Sequence, residues 1–240
     1  MRSAAVVAAA TMVALVGCRE VNDRPTEDSD SLRSRVVPAS PVPLPAKVWM
    51  PGIAGLQWRT RFRSVGLTSN DTMREIDRVE DLRCTGPVVR DGRLSIGYIA
   101  MAPNGSSVRE EWYVDEPSGR CLREAGGGSD RLIIDPPFPV LPRKAIPGST
   151  LSWSGTVRFR GQTTSAIGYT RFRGFEPMET SEGTRKAACV ETLLSAGSTS
   201  SGGFRLPMSR WFLPEAGAVR VWFKSGETEY LRETLAFRKR

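Results

Sequence analysis

Hydrophobic and polar residues alternate along most of the chain that follows residue 46. The alternation covers residues 57–63, 94–99, 108–114, 153–160, 165–173, 219–223 and 230–237. A period of two is typical of strands with one buried face. Turn signals such as Asp91-Gly92 and Ser225-Gly226 separate these segments. The pattern therefore predicts a mainly β protein built from antiparallel meander sheets.

One segment, from Thr72 to Arg83, fits a helix as well as a strand. Thr72 and Glu75 have the spacing of a helix capping box. Four apolar residues then lie roughly on one face of a helix: Met73, Ile76, Val79 and Leu82. The strand alternative stays open because Val79 and Leu82 also suit a sheet.

Two stretches of the chain carry the same order of motifs. Leu-Pro-x-Lys, Pro-Gly and Leu-x-Trp follow one another at 44–58 and again at 141–153. Further along, an aromatic pair precedes a glycine in each stretch, from Trp112 to Gly119 and from Trp211 to Gly217. We therefore expect a first β repeat over residues 46–137 and a second over 138–240. Copies of this length form either two similar subdomains or two halves of one continuous curved sheet.

The N-terminus carries a short apolar run that ends in a cysteine. Arg2 precedes an apolar stretch from Ala4 to Val16, and residues 15–18 read Leu-Val-Gly-Cys. This run resembles the lipobox of bacterial lipoproteins, and it is shorter than the ~20 residues of a membrane-spanning helix. The resemblance implies a signal peptide at 1–17, a lipidated Cys18 that carries acyl chains such as palmitate, and a membrane-anchored protein on the extracytoplasmic side, in the periplasm or at the cell surface.

Residues 18–45 differ in composition from the rest of the chain. Charged and polar residues come first, and a proline-rich stretch follows at 37–45. Such a segment has few apolar side chains to bury, and repeated proline favours an extended polyproline II spacer. We expect a disordered tether between the lipid and the folded region.

The second repeat ends in a motif with a counterpart in other proteins. Residues 211–219 read Trp-Phe-Leu-Pro-Glu-Ala-Gly-Ala-Val. This is similar to the Trp-aromatic-x-Pro-x-x-Gly-x-Val signature near the C-terminus of certain exported bacterial β-rich proteins whose activity is not established. Glu215 and Ala216 stand where those proteins tend to have Gly and Val. The resemblance implies a β-rich exported protein, and the alternative interpretation is a structural hairpin turned by Pro214 and Gly217.

The residues needed for common catalytic chemistry are scarce. The chain has no histidine, which removes the commonest general base, triad partner and metal ligand. It also has no Cys-x-x-Cys pair. The adjacent carboxylates Glu110-Glu111 and Asp115-Glu116 alternate faces on a strand, which favours solvated surface over an acid–base pair. We therefore expect no enzyme activity, no metal site and no cofactor.

Three cysteines follow Cys18, namely Cys84, Cys121 and Cys189. An exported protein meets conditions that permit disulfides. A Cys84–Cys121 bridge is the favoured pairing because both residues belong to the first repeat. Three buried thiols are the alternative.

The chain is basic, with 34 Lys and Arg against 26 Asp and Glu and a formal net charge of +8. Arg-Phe-Arg occurs at 61–63, 158–160 and 171–173. On a strand the two arginines of each triplet share one face while the phenylalanine points into the core. These arginines are candidate contacts for anionic lipid headgroups, phosphate-bearing glycans or cell-wall polymers: Arg61, Arg63, Arg158, Arg160, Arg171 and Arg173. The alternative is a solvated face that protects the sheet against aggregation.

Two functional hypotheses follow. The first is a noncatalytic envelope lipoprotein that binds an apolar or anionic envelope component, such as a lipid or an anionic glycan. The second is a structural or assembly factor that contacts another envelope protein through a sheet edge. A deep apolar cavity between the repeats favours ligand binding, whereas a filled core with a flat aromatic edge favours protein contact. Nucleic acid is not expected as a partner because the signal exports the chain.

Overall fold

The computed structural model describes residues 40–67, 73–102, 105–127, 130–180, 183–197 and 203–238. The predicted signal peptide, Cys18 and most of the predicted tether lie outside these residues. Among the residues described, no helix has the length and apolar character needed to cross a membrane. One short helix, α1, spans Ala46–Trp49, and the strands are β1 Val42–Pro43, β2 Gln57–Leu67, β3 Met73–Arg90, β4 Arg93–Met101, β5 Ser107–Glu116, β6 Gly119–Gly126, β7 Leu132–Pro142, β8 Lys144–Ala145, β9 Thr150–Phe159, β10 Gln162–Thr180, β11 Gly183–Ala196, β12 Phe204–Leu213, β13 Gly217–Ser225 and β14 Thr228–Arg238.

Twelve of these strands form one closed barrel. They follow the order β2 to β7 and then β9 to β14, and each strand pairs antiparallel with the next. The barrel closes where β14 pairs with β2 and where β7 pairs with β9. β1 and β8 form a separate two-stranded sheet. The prediction of a mainly β, antiparallel protein is confirmed.

The two predicted repeats each supply six strands to this single barrel, β2–β7 and β9–β14. Trp112 and Trp211 lie on the fourth strand of each set, and the second strand is the long one in both, with 18 residues in β3 and 19 in β10. Of the two predicted arrangements, the structure has the continuous curved sheet. The predicted boundary at 137/138 falls inside β7. The duplication itself stays a prediction.

The helix considered at Thr72 to Arg83 is wrong, and the strand alternative is confirmed. Residues from Met73 onward belong to β3, which pairs with β2 on one side and β4 on the other. Met73 and Val79 are exposed, whereas Leu82 is buried. The apolar residues that would share one face of a helix are thus divided between the two faces of a strand.

The segment that precedes β2 packs into the barrel interior. Leu44, Met50 and Leu56 are buried in the same core as Trp58, Phe172 and Phe212. Trp58 Nε1 donates to the Ala216 carbonyl at 2.6 Å, and the Tyr98 hydroxyl donates to the Pro51 carbonyl at 2.8 Å. The predicted tether therefore ends before Val42, because the β1–β8 pairing and the burial of Leu44 include residues 42–44 in the fold.

The structure contains the three thiols of Cys84, Cys121 and Cys189 as free, buried cysteines. The predicted Cys84–Cys121 bridge is absent. Cys84 lies on β3 and Cys121 on β6, with β4 and β5 between them. Three strand spacings separate the two residues by roughly 14 Å along the sheet, and a disulfide joins Cα atoms less than about 7 Å apart.

Candidate binding groove at the barrel seam

The pairing between β7 and β9 covers only part of either strand. Leu132–Asp135 of β7 pairs with Thr156–Phe159 of β9, and the ladder stops there. Past this point β7 contains Pro136, Pro137, Pro139 and Pro142. Proline has no backbone N–H, so this part of β7 has few donors to offer a second neighbour. Residues 136–142 of β7 and 150–155 of β9 do not pair with each other, and we call the region between them the seam.

Side chains of β9 and β10 cross the seam in place of ladder hydrogen bonds. Trp153 Nε1 donates to the Pro136 carbonyl at 3.1 Å, and the Thr170 hydroxyl donates to the Pro139 carbonyl. The strands also approach closely at Gly155, where an added Cβ would lie 2.6 Å from the Asp135 carbonyl oxygen. The seam is therefore held by specific side-chain donors and by one glycine.

An open groove with a volume of about 540 Å³ lies at the end of the seam next to β8. This volume falls within the roughly 300–1,000 Å³ typical of small-molecule sites. Thr170 and Phe172 are buried, whereas Arg143 and Lys144 are exposed. The groove is lined by Pro117, Ser118, Pro142, Arg143, Lys144, Ala145, Ser149, Thr150, Leu151, Thr170 and Phe172.

The charge of this lining is positive. Arg143 and Lys144 are its charged residues, and it includes no carboxylate. Backbone hydrogen bonds fix this segment: the Arg143 N–H donates to the Ser118 carbonyl at 2.9 Å, and the Leu44 N–H donates to the Arg143 carbonyl at 2.8 Å. The groove therefore offers two cations and several hydroxyl groups beside an apolar surface. This combination suits a ligand with an anionic group and an apolar part.

The six arginines predicted to contact anions do not form one surface. Arg61 and Arg63 lie on β2, which is several strands away from β9 and β10 on either side of the barrel. Arg158 and Arg171 share the β9–β10 hairpin but lie roughly 26 Å apart along it. Arg171 is paired through its backbone with the groove residue Thr150.

Four of these arginines are engaged in ion pairs on the outer surface. Their partners and N–O distances are Asp77 for Arg61, Glu233 for Arg63 at 2.6 Å, Asp130 for Arg160 at 2.8 Å and Glu191 for Arg173 at 3.1 Å. The side chains of Phe62 and Phe172 are buried, as the alternation predicts. The triplets at 61–63 and 171–173 thus have the predicted orientation, whereas Phe159 is half-buried and Arg160 lies in the turn after β9. The role of the six arginines in anion binding stays a prediction.

In the sequence, Arg143 and Lys144 stand out only as part of the repeated Leu-Pro-x-Lys motif. Two adjacent cations directly after a proline-rich apolar run are the sequence signal that could have marked them as candidate binding residues. Their location in a groove depends on how β7 and β9 diverge, which the local sequence does not specify.

The adjacent carboxylates Glu110 and Glu111 were predicted to be solvated, and the structure differs for this pair. Glu111 points into the barrel, where the Tyr113 hydroxyl donates to it at 2.5 Å. Glu110 accepts a hydrogen bond from Trp112 Nε1 at 2.9 Å. In the described part of the chain, no group of three or more acidic or cysteine side chains has a geometry that would hold a metal ion.

No protein-family model matches the chain, and no curated protein is significantly similar to it. Among solved structures, it is similar to a proposed lipoprotein from Parabacteroides distasonis, with 10% sequence identity and a TM-score of 0.43 over 80% of this chain and 99% of that chain. It is also similar to a proposed exported protein with a YmcC-like fold from Bacteroides fragilis, with 11% identity and a TM-score of 0.48 over 80% of this chain and 99% of that chain. Neither likeness is close enough to place the chain in a family.

Proposed function

We propose that this protein is a bacterial envelope lipoprotein, anchored through a lipidated Cys18, that binds an anionic envelope component in the groove at the seam. The binding is noncatalytic. The observation that supports this proposal is the groove itself, in which Arg143 and Lys144 lie beside an apolar surface that contains Pro117 and Leu151. A phosphate-bearing lipid or glycan has the matching chemistry.

The barrel interior is a poor site for such a ligand because it is filled. Its cavity, between Trp58, Tyr98 and Tyr113, encloses about 20 Å³. A volume of this size admits about one water molecule. An acyl chain or a sugar would have to displace the core, whereas the groove accommodates it without rearrangement.

The groove also lies beside the point where the proposed tether enters the folded region. Pro43 of β1 pairs with Lys144 of β8, and Lys144 is a groove residue. A polyproline-like tether from Cys18 to residue 41 would span up to about 70 Å. An anchor of this reach lets the groove lie anywhere within about 70 Å of the membrane surface and its headgroups.

The full-length protein, extracted in mild detergent from its own envelope, provides the test by native mass spectrometry. We expect a discrete additional mass that passes into organic solvent or is released as an anionic glycan. Replacing two charge-assisted contacts should lower its occupancy at least about tenfold in the Arg143→Gln, Lys144→Gln double variant.

A matched control removes two exposed arginines from β2 and β3, in an Arg59→Gln, Arg83→Gln double variant. This control should retain the additional mass. An apo mass for the wild-type protein, or equal occupancy in both double variants, would refute the groove as the binding site.

The alternative, an assembly factor that pairs through a sheet edge, stays a prediction. Each barrel strand has a neighbour on both sides, but β7 and β9 pair over only part of their length. Within the described residues, the unpaired edges are therefore those of β1, β8 and the seam. The filled barrel core fits this alternative, whereas the groove outside the core fits ligand binding.

A further inference from the structure

The barrel interior contains charged side chains that the proposed function does not use. They come from β3, β5, β12 and β14 and form what we call the interior charge cluster: Glu80, Arg109, Glu111, Arg210 and Arg232. Glu80, Arg210 and Arg232 are between 2% and 6% exposed. Buried charges cost free energy unless they are paired, so each charge in this cluster is expected to have a partner of opposite sign.

The two carboxylates pair with two of the three interior arginines, Arg109 and Arg232. Glu111 lies 3.5 Å from Arg232 Nη1 and 3.6 Å from Arg109 Nε. Glu80 lies 3.7 Å from Arg109 Nη2. Glu80 also pairs with Arg78 at 2.6 Å, and the Arg78 side chain is 44% exposed and therefore solvated. Three interior guanidinium groups thus face two carboxylates, which leaves one positive charge in excess.

The excess charge is located at Arg210. This side chain is 4% exposed, and its described hydrogen bond is a long one of 3.4 Å to the Thr192 hydroxyl. Among the residues that the structure describes, no carboxylate lies within ion-pair distance of it. Tyr98 and Tyr113 do not compensate, because burial raises the pKa of both phenols and keeps them protonated.

A small cavity lies against this arginine. Arg210, Arg232 and Glu111 line one part of it, and Trp58, Tyr98 and Tyr113 line another. It encloses about 20 Å³, the size of one water molecule or one monatomic ion.

We propose that the barrel binds one monovalent anion of halide size, chloride under cellular conditions, in the cavity between Arg210 and Arg232. The ion supplies the missing negative charge of the interior charge cluster. Since the folded state alone forms the cavity, ion binding stabilises the barrel increasingly as the ion concentration rises above its Kd. This site is independent of the groove and of the lipid anchor.

The test compares the unfolding of the full-length protein, in mild detergent, in chloride and in gluconate at constant ionic strength. We expect stabilisation by chloride that grows with the logarithm of its concentration above Kd, with the unfolding equilibrium constant lowered about tenfold when chloride is about ten times its Kd. The Arg210→Met variant removes the excess charge and should lose this chloride dependence. The control is Arg205→Met, because Arg205 lies on the same strand and is exposed. An equal chloride response in both variants would overturn the proposal.

Crystals grown in bromide give a second readout that does not depend on any variant folding. Bromide scatters anomalously, so the proposal expects a peak between the guanidinium groups of Arg210 and Arg232. Absence of that peak from well-ordered wild-type crystals would overturn the proposal, as would a wild-type protein whose stability is the same in chloride and gluconate.

Discussion

Neighbouring residues in this barrel experience opposite surroundings, and Glu110 and Glu111 illustrate the consequence. Alternation on β5 directs Glu111 inward, where burial is the largest influence on its pKa and acts to raise it. Arg232, Arg109 and Arg210 together outweigh that effect, so the pKa falls from 4.5 to about 2. Glu111 is therefore an ionised carboxylate that holds the interior charge cluster together.

Replacing Glu111 by Gln should lower the free energy of unfolding at neutral pH by about 3–5 kcal/mol, because buried arginines lose their partner. In the wild type, the unfolded state takes up more protons than the folded state as the pH falls from about 4.5 towards 2. The wild type then loses on the order of 3 kcal/mol. The difference between variant and wild type should thus shrink on acidification.

Urea unfolding between neutral pH and about pH 3 measures this difference. Glu110→Gln is the matched control, since Glu110 lies next to Glu111 in sequence and on the other face of β5. A stability difference for Glu111→Gln that stays constant with pH would contradict the assigned role of its charge.

The cysteines give a second prediction at this scale. Burial raises the pKa of the Cys121 thiol to about 11 and that of Cys189 to about 12, and it also raises the pKa of Cys84. Buried, protonated thiols react slowly. In a Cys18→Ala background, a thiol reagent should therefore label none of the three in the folded protein and all three after unfolding without reductant. A single labelled thiol would instead show a disulfide.

At the scale of elements, the sequence predicts strands well where one face is buried and the other is solvated. β3 was ambiguous because its apolar positions, among them Ile76 and Leu82, fit a helical period as well as a strand period. β7 was not predicted, because its prolines argue against a strand. The seam resolves that conflict: β7 pairs with β6 along one side and leaves its proline-rich part unpaired on the other.

The groove follows from the same feature and could not be predicted from local sequence. Arg143 and Lys144 are easy to see in the chain, but the groove that they line together with Leu151 exists only once β7, β8 and β9 are assembled. The interior charge cluster is equally nonlocal, since its members come from strands in both halves of the barrel.

Replacing Gly155 by Ala tests the close packing of the seam. The added Cβ would lie 2.6 Å from the Asp135 carbonyl oxygen and 2.7 Å from Pro136 Cδ, and such overpacking typically costs about 1–3 kcal/mol. We expect a lower urea midpoint and weaker ligand retention. Gly127→Ala is the control, because its Cβ would meet no atom closer than 3.9 Å. Equal midpoints for the two variants would contradict a tightly packed seam.

At the scale of the whole molecule, closure depends on contacts between the two ends of the described fold. β14 pairs with β2, so neither set of six strands is complete as a sheet without the other. The repeated motifs predict two similar stretches, but closure of the barrel depends on strand twist and on register at both junctions, which are not local properties. Because the chain has a formal net charge of +8, we also expect weak adhesion to anionic membranes by charge alone.

Membrane attachment by lipid and attachment by charge respond differently to salt, which makes Cys18→Ala an informative variant. Each buried acyl CH₂ contributes about 0.8 kcal/mol, so several chains hold a protein through any wash that omits detergent. Adhesion by charge is screened as salt rises. We expect the wild type to stay in the membrane fraction at high salt and Cys18→Ala to be released.

An alkyne analogue of palmitate separates lipidation from retention by an uncleaved signal peptide. The wild type should incorporate the analogue and Cys18→Ala should not, whereas Cys189→Ala, the same change at a buried thiol, should incorporate it normally. Incorporation by Cys18→Ala would place the lipid elsewhere. A wild type that is unlabelled and released by salt would show that charge alone brings this barrel to the membrane.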